Sequence, residues 1–189
     1  MVEGDMPVLL NKGEFEHVEG ATFPDEFFSG VDAKIYNGRD IFADKAVLYI
    51  YPATGKLGID PGPNWDAIPG AAGCTVQSLG FLEYHQDFLD LGYKVFGLSA
   101  QPVDDQLEFQ KRMNIPFMLL NDSKFILEKK LYFPTFLSGE KKFYKRAAII
   151  VEFNRIVKVF YPVVPSQESA RNALTWLRLR CNANSDRLK

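Results

Sequence analysis

The chain has 189 residues, 47% of them apolar and 24% charged, with a formal net charge of -2. That length gives one domain room for a sizeable core, and the near-neutral charge argues against a nucleic-acid binder, which carries a basic excess. No apolar run approaches the ~18 residues of a membrane span, and the acidic N-terminus lacks the apolar stretch of a secretory signal, so nucleic acid and membranes are excluded as expected partners.

Residues 1–30 carry mixed charge and no clear period, which reads as an extended arm or a loosely packed start. Asn37-Gly38 lies between two short apolar stretches and predicts a hairpin, because both residues tolerate positive φ. Residues 46–51 (AVLYIY) form a continuous apolar run of strand length, suited to a strand buried on both faces. Residues 52–73 are dense in glycine and proline and predict a long loop.

Residues 75–92 read as a helix, with Phe81, Tyr84, Phe88 and Leu91 at steps of three and four and Gly92 as its C-cap. Residues 94–100 predict the next strand. Pro102, Asp104 and Asp105 open a second helix that Lys111 and Arg112 close, as the helix dipole favours. Pro116 breaks the chain before an apolar stretch, and Asp122 is placed to cap a third helix through residues 124–132. Residues 147–153 and 156–163 predict a hairpin about Asn154-Arg155. Ser166 caps a last helix with Ala170, Leu174 and Leu177 on one face, and the polar tail after residue 180 reads as frayed. This order predicts a single domain over residues 1–189 of the α/β class, thioredoxin-like, with a central mixed sheet and helices on both faces.

The only cysteines are Cys74 and Cys181, and the only histidines His17 and His85. They form no zinc pattern and no disulfide framework, so neither a metal nor another cofactor is expected, and a reducing compartment, the cytoplasm, fits best. Cys74 stands where the loop meets a helix, in GAAGCTVQS. Unsatisfied backbone N–H groups there stabilise an anion and favour the thiolate, the reactive form in peroxide attack, disulfide exchange and acyl transfer. The competing reading is a small buried hydrophobe. Position 80 is Gly80 rather than the arginine of a phosphatase loop, and position 77 is Gln77 rather than the second cysteine of a C-x-x-C pair. His85 reads as a solvent-edge helix residue. The ATGKLG stretch fails the phosphate-loop pattern at Ile50 and Leu57.

Three blocks then carry a resemblance: VLYIYP, GCTVQSLGFLEYHQDFLDLGYKVFGLSAQP and FQKRMNIPFMLLNDSKF. In this order they resemble the peroxiredoxin family, its peroxiredoxin Q or bacterioferritin comigratory group in particular, over residues 33 to 178. The resemblance implies a thiol-dependent peroxidase for hydrogen peroxide and organic hydroperoxides. Cys74 matches the peroxidatic cysteine, which becomes a sulfenic acid. Arg146 matches the arginine that stabilises the thiolate and the departing oxygen; the bland alternative is a surface residue flanking a strand. Pro52 matches the proline that shields the site.

Two departures stand out. The family hydroxyl three residues before the cysteine is replaced by Ala71, with Thr75 as the nearest substitute. The resolving cysteine five residues after it is replaced by Leu79. The resemblance therefore implies a one-cysteine cycle completed by an external thiol (thioredoxin, glutaredoxin or glutathione), in a monomer or homodimer. Cys181 is the other candidate resolver, or else a spectator near the chain end. Trp65, Ile59 and Ile68 are candidates for a lid. The rival to catalysis, favoured by Ala71, is a weakly active thioredoxin-fold redox sensor or binding module.

Overall fold

A computed structural model describes residues 12–55, 65–68 and 70–186. Strands β1 (Phe27–Gly30), β2 (Ile35–Asn37), β3 (Lys45–Ile50), β4 (Lys94–Ser99), β5 (Met118–Asn121), β8 (Ala147–Glu152) and β9 (Arg155–Phe160) form one seven-stranded sheet, in the order β2-β1-β5-β4-β3-β8-β9. Strands β3, β4 and β5 run parallel, and β1 and β8 pair antiparallel to the outer two of them. A separate hairpin, β6 (Thr135–Ser138) with β7 (Lys141–Tyr144), stands beside the sheet. The helices are α1 (Gly38–Ile41), α2 (Cys74–Glu83), α3 (His85–Asp90), α4 (Val103–Arg112), α5 (Ile126–Leu131) and α6 (Glu168–Asp186). Among the described residues, no helix is long and apolar enough to cross a membrane.

The continuous apolar run in β3 is explained by two cores, one on each face of the sheet. Val47 and Tyr49 point to α2, α3, α4 and α6, where Phe81, Phe88, Phe109, Leu174 and Leu177 are buried. Leu48 and Ile50 point the other way, to Leu127 and Leu131 of α5 and to Phe15, Val18, Phe23 and Phe42. Burial on both faces is what a central strand with parallel neighbours requires. The mixed sheet with helices on both faces is the predicted architecture.

Several local expectations are corrected. Asn37-Gly38 is not a hairpin turn. Asn37 keeps a negative φ of -78°, and its side-chain oxygen accepts hydrogen bonds from the Arg39 and Asp40 amides, so it caps α1. Asparagine serves N-caps as well as tight turns. Gly38 is needed for another reason: a Cβ there would come within 2.4 Å of the Pro24 carbonyl. The hairpin that does form joins β1 to β2 through residues 31–34, with Ala33 at positive φ. The described part of the N-terminal segment is no loose arm, because Phe15, Val18 and Phe23 are buried. The helix expected over residues 75–92 breaks at Tyr84 into α2 and α3. The β8–β9 turn is Phe153-Asn154, both at positive φ, one residue earlier than expected. Helix α6 continues to Asp186.

Asp122 does start α5, from four residues upstream. Its carboxylate accepts hydrogen bonds from the Ile126 amide (2.8 Å), the Leu127 amide (3.0 Å) and the Tyr144 hydroxyl (2.7 Å), tying α5 to the β6–β7 hairpin. An amide cannot accept all three. Asp122→Asn is therefore expected to destabilise the protein by about 2 kcal/mol in urea unfolding at neutral pH. Burial, partly offset by these hydrogen bonds, raises the Asp122 carboxyl above its ordinary value of 3.8. The folded chain thus holds this proton more tightly than the unfolded chain, and the Asp122 contribution to stability falls as pH rises through the window just above that value. The asparagine variant should lack that slope.

Candidate active site

The site lies where α2 begins, at the ends of β3 and β8. Gly73 has a φ of +91° and precedes the helix, and its carbonyl accepts the first α-helical bond, from the Gln77 amide (2.9 Å). The amides of Cys74, Thr75 and Val76 precede that bond and form the positive end of the helix dipole. Gly73 is required on two counts. Its positive φ suits glycine, and a Cβ there would fall 2.3 Å from the Ser166 hydroxyl. Gly73→Ala should cost about 1–3 kcal/mol and slow reactions at Cys74 as the turn shifts. Paired thermal melts and stopped-flow rates would read both effects.

Cys74 is the first residue of α2 and only 4% exposed. Arg146, between β7 and β8, reaches across from 72 residues away and is itself 2% exposed. One terminal nitrogen of its guanidinium lies 3.0 Å from Cys74 Sγ. The same nitrogen donates to the carbonyls of Ala71 (3.1 Å) and Ala72 (2.9 Å), and Nε donates to the Gly70 carbonyl (3.0 Å). The other terminal nitrogen donates to Gln77 Oε1 at 2.5 Å. The Cys74 thiol donates to the Ala71 carbonyl at 3.4 Å. A planar fork of five donors suits this multiple grip, which a lysine could not reproduce. Among the described residues, no carboxylate forms an ion pair with Arg146, so this buried cation faces neutral oxygens and one sulfur.

Gln77 was not singled out from the sequence. It is fully buried one helical turn after Cys74, and its amide donates to Ser169 Oγ on α6 at 3.1 Å, so α6 is coupled to the arginine. The available signal was a polar pair, Gln77-Ser78, one turn into a helix that goes on with Leu79, Gly80, Phe81 and Leu82.

The other expected residues fall as follows. Pro52 is buried just past the end of β3, and its carbonyl accepts a hydrogen bond from Ser99 Oγ (2.9 Å). Thr75 is half-buried in the first turn of α2, and among the described residues no hydrogen bond joins its hydroxyl to Cys74 or Arg146. Ala71 is fully buried. His85 is half-buried against the Phe117 ring, and burial lowers its pKa. His17 contacts the carbonyls of Leu131 and Tyr132, so neither histidine belongs to the cysteine site. Trp65 packs on Phe143 and Phe136 of the β6–β7 hairpin, while Ile59 lies outside the described residues. Cys181 is on α6 twelve residues past Ser169, about 18 Å further along the helix axis. Its neighbourhood is Tyr93, at the start of β4, and the Arg180–Glu152 pair at the far end of β8. A disulfide needs Cα atoms within about 7 Å, so Cys74 and Cys181 cannot join within this chain as folded.

A family model described as the AhpC/TSA family matches residues 68–160, a span that holds both Cys74 and Arg146. The chain is similar to that family over this span, which is just under half of its length. The chain is 31% identical to peroxiredoxin bcp1 of Schizosaccharomyces pombe over 132 residues, covering 66% of this chain and 60% of that protein. It is 27% identical to the chloroplastic peroxiredoxin Q of Oryza sativa subsp. japonica over 140 residues, covering 74% and 54%. The matches thus span between about half and three-fifths of these relatives. Among solved structures, PrxQ of Xylella fastidiosa superposes with a TM-score of 0.69 at 19% identity, covering 86% of this chain and 96% of that one. Peroxidoxin BcpB of Mycobacterium tuberculosis gives 0.68 at 20%, covering 85% and 96%. The fold is accordingly the thioredoxin-like one, and the proteins it resembles carry peroxiredoxin Q and bcp names, as the sequence blocks implied.

Proposed function

We propose that the protein is a thiol-dependent peroxidase acting on hydrogen peroxide and organic hydroperoxides. The observation that carries this reading is the Arg146 guanidinium 3.0 Å from Cys74 Sγ, at the N-terminus of α2. Among the described residues that guanidinium pairs with no carboxylate, and together with the first amides of the helix it surrounds the sulfur with hydrogen-bond donors and positive charge. The thiolate attacks one peroxide oxygen. The S–O bond forms as the O–O bond breaks, sulfur gives up two electrons, and the leaving oxygen departs as hydroxide or alkoxide that takes a proton from water. Arg146 is placed to stabilise both the attacking sulfur and the charge growing on the leaving oxygen.

The product is a sulfenic acid on Cys74. Leu79 at position 79 and the distance of Cys181 along α6 from Ser169 support a one-cysteine cycle. An external thiol condenses with the sulfenic acid, releasing water and leaving a mixed disulfide. A second thiol then displaces Cys74 and carries away the oxidised pair. Thioredoxin, glutaredoxin and glutathione are the candidate reductants, and a reducing compartment such as the cytoplasm is the setting we assign.

Ala71 favours a second reading, a redox sensor that oxidises once. It offers a methyl group, fully buried, where a hydroxyl donor is expected. A coupled assay with each thiol, run beside mass analysis of the Cys74 peptide, separates the two. Many peroxide equivalents consumed per chain support the peroxidase. One equivalent consumed, with the thiol supply untouched, supports the sensor.

A further inference from the structure

Two adjoining hollows lie where the β1–β2 hairpin meets the start of α5, apart from the cysteine site. Their volumes are about 120 and 270 Å³, and both are lined by Phe27, Lys124 and Ile126. The smaller one also reaches Ile35, and the larger one Lys129 and Lys130. The floor is apolar yet open to water: Phe27 is 62% exposed and Ile35 63%, with Ile126 half-buried. Ser29 stands opposite Ile35, and Phe27 is two residues before Ser29, so Phe27 and Ile35 leave the same face of the hairpin. Large apolar side chains grouped within a charged rim mark a binding surface, whereas single scattered ones do not.

The rim is basic. Lys124, Lys129 and Lys130 are exposed, and Lys130 pairs with Glu26 at 2.6 Å. Among the described residues, neither Lys124 nor Lys129 forms an ion pair. The other acid lining the groove, Asp122, already accepts hydrogen bonds from the Ile126 and Leu127 amides and the Tyr144 hydroxyl. In a chain whose net charge is -2, this patch calls for an occupant that brings negative charge.

The strand edge beside the groove narrows the choice. Strand β2 ends the seven-stranded sheet. The Gly30 amide donates to the Lys34 carbonyl and the Gly38 amide to the Glu26 carbonyl, each at 2.8 Å. That alternation turns the Ile35 main chain away from β1, towards the open edge. An extended peptide can pair its main chain there, and its alternate side chains fall on one face, roughly 7 Å apart. A lipid surface offers no main chain, and it takes up apolar residues that protrude rather than ones that line a hollow.

We propose that this groove binds an extended acidic peptide segment of a partner protein, with bulky apolar side chains against Phe27, Ile35 and Ile126 and carboxylates against Lys124 and Lys129. The inference does not depend on the peroxidase reading.

The test uses the reduced full chain and a fluorescein-labelled peptide, DEDFELDE, followed by anisotropy. Saturable binding is expected, and it should weaken as salt is raised, because the lysines are exposed. Lys124→Glu combined with Lys129→Glu should weaken it by about tenfold or more, and Phe27→Ser by about tenfold. All three side chains are exposed, so the unfolding midpoint and the rate of Cys74 alkylation by iodoacetamide should match the parent. Equal binding by these variants overturns the proposal. So does equal binding of a peptide with lysines in place of the acids, or no binding at about 1 mM peptide.

Two other results overturn it in favour of a different occupant. Adsorption to phosphatidylglycerol vesicles that the lysine variants abolish, with no peptide binding, assigns the groove to a membrane surface. Self-association in sedimentation that Phe27→Ser abolishes, again with no peptide binding, assigns it to a second copy of this chain. An NMR titration of the parent with the same peptide needs no variant. Amide shifts should gather in β1, β2 and residues 124–130, and shifts confined to other parts of the fold overturn the proposal.

Discussion

Cys74→Ser is expected to abolish oxidation of the protein by peroxide, with a fall of at least ~10⁴-fold in the second-order rate, because a serine oxygen is a far weaker nucleophile than a cysteine sulfur and is not oxidised by peroxide. The replacement exchanges sulfur for oxygen at a site that is 4% exposed, and the hydroxyl can still donate to the Ala71 carbonyl as the thiol does. The fold should therefore survive, and unchanged thermal unfolding would show that it has. Any remaining oxidation would have to occur at Cys181, which mass analysis of the tryptic peptides distinguishes directly. Peroxide consumption that persisted in Cys74→Ser and mapped to Cys181 would move the nucleophile to the far end of the sheet and remove the basis for the Arg146 assignment.

Arg146→Ala is expected to lower the rate of Cys74 oxidation by about 10²–10³-fold, the range for removing one well-placed donor from a reacting anion. It should also destabilise the fold by about 2–4 kcal/mol, because carbonyls of residues 70–72 and the Gln77 side chain lose their partner together. The two effects can be separated. Arg146→Lys restores a cation but not the fork, so it should recover part of the rate and little of the loop's order. Gln77→Ala leaves the guanidinium next to the sulfur and removes only one tether, so its rate should fall far less than that of Arg146→Ala. Stopped-flow oxidation of each variant, read beside its unfolding midpoint, tests this ordering. A rate for Arg146→Ala equal to that of the parent would leave the arginine a purely structural clamp.

How much of this was legible before folding differs from element to element. Strands β3, β4 and β8 and helix α4 were readable because their signals are local: unbroken apolar runs, and acids and bases at opposite helix ends. Asn37-Gly38 misled because the same two residues serve a hairpin turn and a helix cap, and here the Asn37 side chain caps α1 while the Pro24 carbonyl lies close to Gly38. The β6–β7 hairpin went unread because Lys141, Lys142 and Glu140 hide a strand whose inward residues are Phe143 and Tyr144. The N-terminal aromatics gave no period, since Phe15, Val18 and Phe23 reach the core from irregular backbone.

The site divides in the same way. The setting of Cys74 was legible in the sequence: a cysteine behind a glycine, at the point where a loop becomes a helix, in a chain with no second cysteine nearby to form a local disulfide. Those features depend on neighbours along the chain, so the order of residues expresses them. Only the tertiary structure decided what surrounds the sulfur. Arg146 comes from 72 residues away because β8 pairs with β3 in a register that sets Ala147 opposite Ile50. The same pairing carries the hairpin, and with it Phe143, to Trp65. It also fixes the distance to Cys181, which α6 carries to the opposite end of the sheet. Contacts of this kind depend on strand register and on buried polar groups finding partners across the core, and no short stretch of sequence contains either.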